Sequence, residues 1–161
     1  MKLSLLPEVE ALDRPHVRAR YTIASPMYLH GVDSSEVIDR ILPQSVKGAL
    51  RFWWRAIHWA DFYREAGGDT TAALKALAEA DARLWGAADE SIGQGKALIS
   101  VDAPMLRNEG KAHPYLLGLG LRGQQGKGAG QSFKVTCHFR STGEELEQDR
   151  AQVLKTLKTW G

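Results

Sequence analysis

The alternation of apolar and polar positions is cleanest over SFKVTCHFRS, residues 132–141. Phe133, Val135, Cys137 and Phe139 share one face, and Lys134, Thr136, His138 and Arg140 the other. That two-residue period is the mark of a half-buried strand. HVRARYTIAS, residues 16–25, repeats it: Val17, Ala19, Tyr21 and Ile23 fall opposite His16, Arg18, Arg20 and Thr22, so this strand carries a basic outer face. KALISVDAP, residues 96–104, reads as a third strand that stops at Pro104.

Between the first two of these strands the period changes to that of helices. Over PQSVKGALRFWWRAIHWADFY, residues 43–63, Val46, Ala49, Leu50, Trp53, Ala56, Ile57 and Ala60 recur at three- and four-residue spacing. Ser45 is expected to cap this helix and Gly67-Gly68 to end it. A second helix is expected over DTTAALKALAEADARLWG, capped near Asp69 or Thr70 and stopped at Gly86. The last, GEELEQDRAQVLKTLKTW, is expected to bury Leu146, Val153, Leu154 and Leu157. Residues 26–44 read as a long loop, and 118–130, with six glycines, as a second one.

The order strand, helix, strand, strand, helix predicts an α+β, ferredoxin-like fold of the βαββα kind, with the final strand missing or supplied by another chain. A single domain spans 1–161, its core over 14–161, with a helical insertion at 66–90 and the glycine-rich loop at 118–130. Its 161 residues hold one core, and 43% hydrophobic with 25% charged residues is ordinary globular composition. No apolar run approaches membrane-spanning length, and Pro7, Glu8 and Glu10 interrupt the apolar start before a secretory signal could form. One cysteine, Cys137, offers neither a disulfide nor metal-ligand spacing, so a cytoplasmic protein without metal or cofactor is expected.

A net charge of +2 argues for no partner by itself, but charge is unevenly placed. From Arg107 to Arg140 there are six Lys/Arg against Glu109 alone. On the tryptophan-rich helix, Lys47, Arg51 and Arg55 stack at four-residue spacing, with Trp54 and His58 on the same side and Trp53 toward the core. Two readings stand. One is a solvated basic face with Trp54 lying over a neighbouring loop. The other is a phosphate-tracking strip with an indole platform, its anion site completed by Ser45 and Lys47 at the helix N-terminus. Arg122 and Lys127, among glycines, either approach RNA closely or belong to a plain hairpin connection.

The same stretch resembles the hallmark of the RAMP proteins, specifically of the first subunit of the type III-B CRISPR effector complex. That hallmark runs arginine, proline, then S-x-K-G-x-[LF]-R-[FW]-W-[WF]-R. Arg40, Pro43, Ser45, Lys47, Gly48, Leu50, Arg51, Trp53, Trp54 and Arg55 match it. RLWG at 83–86 and HPYLLGLG at 113–120 look like two further family segments. The resemblance implies a non-catalytic RNA-binding subunit of an antiviral ribonucleoprotein. It implies contact with guide or target RNA near the guide 3′ end and with other effector subunits, and no membrane. RNA-binding residues are then expected at His30, Arg40, Ser45, Lys47, Arg51, Trp54, Arg55, His58, Arg122 and Lys127.

Family members usually carry two such domains and a basic glycine-rich motif after the last helix of the first. Here TWG, residues 159–161, stands where that motif would start, which suggests a fragment, half of a split subunit or a minimal relative completed by another chain. His30-Gly31 replaces a common Gly-Gly pair. Two alternatives accompany the RNA-binding reading: an RNA-processing endoribonuclease with His30 as base, and an assembly module whose tryptophan-rich helix binds protein.

Overall fold

The structure, a computed structural model of the chain, describes residues 14–29, 40–88, 92–111 and 125–161. Its elements are β1 (His16–Thr22), α1 (Pro43–Glu65), α2 (Thr70–Trp85), β2 (Ala97–Asp102), β3 (Asn108–Lys111), β4 (Gln125–Lys127), β5 (Ser132–Phe139) and α3 (Gly143–Trp160). The main sheet has three strands in the order β1-β5-β2, antiparallel throughout. Val17 lies opposite Cys137, Ala19 opposite Val135 and Tyr21 opposite Phe133, while Ile99 and Val101 face the same two β5 residues from the other side. This register stacks every inward position of the alternation on one face. It is the first five elements of a ferredoxin-like unit, with α2 and the β3–β4 pair as insertions. Among the described residues β1 pairs within the sheet only with β5, so its second edge is the place where the pattern's last strand would sit.

The helices cover the inward face. Val46, Leu50 and Trp54 of α1, Leu77, Leu84 and Trp85 of α2, and Val153 and Leu157 of α3 close on Val17, Phe133, Val135, Cys137 and Phe139. Asp69 caps α2, its Oδ1 accepting from the Thr71 and Ala72 amides at 2.8 and 3.1 Å. At the other end Gly86 takes a left-handed φ of 88°, and a Cβ on Gly95 would collide with the backbone of Trp85 and Gly86. Glycine at both positions lets the strand leading into β2 cross directly against the end of α2.

Three expectations need correction. Residues 125–127 are strand rather than loop, because β4 pairs with β3 while the turn at Gly128 and Gly130, both of positive φ, leads directly into β5. Leu42, with Pro43 behind it, begins α1 in place of Ser45, since proline fixes the helical φ and lacks the N–H that a cap would satisfy. Leu154 is exposed, and Thr156 is fully buried in its stead. The Thr156 hydroxyl donates to the Gln152 carbonyl at 2.8 Å, so it enters the core already satisfied.

Candidate nucleic-acid interface

α1 carries most of the expected RNA-binding residues, and its rotation decides which of them reach solvent. Val46, Leu50 and Trp54, four residues apart, are the buried ones. Trp54 is 2% exposed and Trp53 37%. The two tryptophans therefore exchange the places expected of them, because the core-facing sector is turned by about 60° toward α3. An indole buries far more apolar area than the alanines at 49, 56 and 60, and it finds a hydrogen-bond partner inside. Trp54 Nε1 donates to Gln152 Oε1 of α3 at 3.0 Å, and its ring packs on His58 and Phe62 with centroids 4.8 and 6.4 Å away. Trp54 is a core residue, not a stacking platform.

His58 follows it inward. Burial, and then the nearby Lys155, lower its pKa, with Asp61 acting weakly the other way. Its Nε2 is buried and finds no partner among the described residues. It lines an open cleft of about 290 Å³ with Trp54, Phe62, Arg83, Lys96, Glu145 and Asp149. His58 is thus half-buried, with its ring packed on Trp54.

The cation row also divides. Arg51 Nε donates to Asp81 Oδ2 and Oδ1 at 3.0 and 3.3 Å, its Nη2 reaches Oδ2, and its Nη1 donates to the Gly86 carbonyl at 3.2 Å. The Asp81 side chain is only 3% exposed, so this arginine ties α1 to α2 and to the glycine crossing. Lys47 is half-buried beside it, its pKa lowered by burial and by the Arg51 charge, with Asp81 pulling the other way. Both line a recess of about 300 Å³ with Trp85, Gly86 and Gly95. Arg55 stays exposed, with its Nε donating to the Arg51 carbonyl at 3.2 Å. Ser45 is exposed in the first turn, but its amide is already bonded to the Leu42 carbonyl at 3.1 Å. Arg40 is exposed just ahead of α1. Lys127 ends β4 opposite Asn108, and His30 and Arg122 lie outside the described residues.

A second basic surface, absent from that set of residues, lies on the outer side of the sheet. β1 contributes His16, Arg18 and Arg20, all exposed, and β5 contributes Lys134, Thr136 and His138. The register pairs His16 with His138, Arg18 with Thr136 and Arg20 with Lys134. The two imidazoles stand 5.6 Å apart at 41°, and Arg18 Nε donates to Thr136 Oγ1 at 3.2 Å. Lys134 Nζ reaches Asp102 Oδ2 of β2 at 3.4 Å. The alternation in each strand was the available signal. Only the register brings the two cation rows side by side.

A family model of the RAMP superfamily matches residues 20–160. The chain belongs to the RAMP superfamily. Among solved structures its fold is similar to that of Cmr1 from Pyrococcus furiosus in the apo form, with a TM-score of 0.58 and 20% sequence identity. The similarity covers 87% of this chain and 41% of that one, so the chain spans less than half the length of its structural relative. No curated protein matches the sequence.

The hallmark segment of this RAMP chain is thus mainly architectural. Val46, Leu50 and Trp54 fill the core, Arg51 braces two helices, and Phe52, Trp53 and Tyr63 are left exposed on α1. No helix is long and apolar enough to cross a membrane, and no cluster suited to a metal ion occurs among the described residues.

Proposed function

We propose that this RAMP chain is a non-catalytic RNA-binding subunit of a type III CRISPR ribonucleoprotein. It contacts guide or target RNA near the guide 3′ end, in the cytoplasm, within antiviral RNA interference. The observation that carries this reading is the RAMP match over residues 20–160 together with a fold like that of Cmr1. Cations at Arg18, Arg20, Arg55 and Lys134 give the chain the sequence-tolerant phosphate contacts such a role needs.

A second reading has its own support. Phe52 is 61% exposed, and Trp53 and Tyr63 lie with it on a side of α1 otherwise made of Ala49, Ala56 and Ala60. Aromatic knobs among alanines suit a neighbouring helix, so the same helix serves assembly with other effector subunits. The RAMP endoribonuclease reading rests on His30 alone and is the weakest of the three.

Affinity purification of the tagged chain from its native host, with sequencing of bound RNA and mass spectrometry of bound proteins, tests the proposal. Guide RNA together with other RAMP subunits is the expected result. Partner proteins without RNA would leave the assembly reading in its place. Cleaved RNA products from the pure chain would make it a nuclease.

A further inference from the structure

We infer that the outer face of the three-stranded sheet, built from His16, Arg18, Arg20, Lys134 and His138, is the surface that takes a single-stranded RNA backbone, in place of the basic row on α1. This rests on the RNA-binding reading and says where on the fold the RNA lies.

Of the three cations in the α1 row, only Arg55 stays exposed. Arg51 already spends its Nε and both terminal nitrogens on Asp81 and the Gly86 carbonyl, and a phosphate would have to displace a nearly buried carboxylate. Lys47 is drawn into the same recess, and Trp54 offers no open ring face.

The sheet face has the opposite properties. Its cations project from a rigid element with the same parity, so Arg18 and Arg20 stand about 6.7 Å apart along β1, two strand residues. Lys134 lies across from Arg20 on β5. Such a fixed row can follow an extended sugar–phosphate backbone without first ordering a loop. The bond from Arg18 Nε to Thr136 fixes the guanidinium plane, and among the described residues its terminal nitrogens are left for a ligand. The imidazoles of His16 and His138 end the row with planar rings for a base to stack on.

At the other end, Arg20 and Lys134 line a recess of about 230 Å³ with Asp102, Pro104 and Ser132. A recess of about 540 Å³ with exposed Met105 and Arg107 shares Pro104 and Ser132 with it, so the basic track runs off the sheet toward β3. Asp102 is the opposing charge. At 79% exposure and 3.4 Å from Lys134 it is a weak surface pair that a phosphate can outcompete. An acidic peptide would meet the same cations, but the ring pair and the hydroxyls of Thr22 and Ser132, 3.0 Å from each other, favour a polynucleotide with bases and 2′-hydroxyl groups.

Fluorescence anisotropy of the full chain with labelled single-stranded oligouridylate tests this. Arg18→Ala/Arg20→Ala/Lys134→Ala is expected to weaken binding on the order of tenfold or more. It should also lower the salt slope by roughly 2, at about 0.7 per lost cation. Arg18→Lys/Arg20→Lys should retain most of both. Thiouridine crosslinks on the unaltered chain, which no folding defect can confound, should map to peptides spanning β1 and β5. Unchanged binding in the triple variant, with loss in Lys47→Ala/Arg55→Ala and crosslinks on α1, would overturn the sheet face and leave RNA binding standing. No RNA binding by the parent chain at low salt would defeat both readings. Equal binding of polyglutamate with the same dependence on the variants would replace RNA by an acidic protein segment.

Discussion

Arg51 and Asp81 join α1 to α2 through a guanidinium fork on a carboxylate that is almost entirely buried. Removing the arginine strands that charge inside the protein. Arg51→Ala is therefore expected to cost about 3–5 kcal/mol, read as a lower midpoint in urea denaturation. Replacing both partners by apolar residues of similar volume should recover much of the loss. A stability change within error for Arg51→Ala would mean that the pair is not a brace. The same variant is a poor reporter of RNA contact, because it acts through the fold.

Trp54 and Trp53 should separate sharply. Trp54→Ala empties a fully packed site and breaks the bond to Gln152, for an expected loss of about 3–5 kcal/mol. Trp53→Ala, at a partly exposed position, should cost roughly 1 kcal/mol or less. Thermal unfolding of the two variants side by side checks this, and the reverse order would restore the rotation of α1 expected from its apolar pattern.

His58 is held neutral by burial, with its pKa below the usual histidine value. The unfolded chain takes up this proton more readily than the folded one. Its contribution to stability is thus present above the unfolded value, about 6.5, and is lost as pH falls through the folded value. The melting temperature is expected to decline from pH 7 toward pH 5. In His58→Gln that decline should be shallower, and an identical profile would remove His58 as its source.

Cys137 sits at the centre of β5, fully buried, with its thiol pushed up to about 12 by burial. At pH 8 it should resist a disulfide reagent in the folded protein and react once urea unfolds the chain. Rapid labelling under native conditions would show that β5 opens far more easily than its packing suggests.

Much of this was legible in the sequence for identifiable reasons. β5 and β1 announced themselves by alternation, and α2 by Asp69 and Gly86, since these signals are local and depend only on backbone chemistry. The rotation of α1 was not legible. Its wheel holds apolar residues over more than half its circumference, and only the positions of α2 and α3 choose between Trp53 and Trp54. The role of Arg51 was hidden for a related reason, as its partner lies 30 residues away on a helix that the ferredoxin-like pattern does not contain. Likewise the cations of β1 and β5 were visible one strand at a time, and their pairing waited on the register.

Tyr21 draws β1 and α3 together. Its hydroxyl donates to the Leu157 carbonyl at 2.8 Å, and its ring meets Trp160 edge-on at 4.6 Å and Phe133 at 5.4 Å. The last turn of α3 and the outer strand are consequently one cooperative unit, and their amides should exchange with a common opening free energy. A strand joining the second edge of β1, beside a groove that Leu157, Lys158 and Trp160 line, would slow exchange in residues 157–160. The end of this helix is, in that sense, a gauge of whether the sheet is complete.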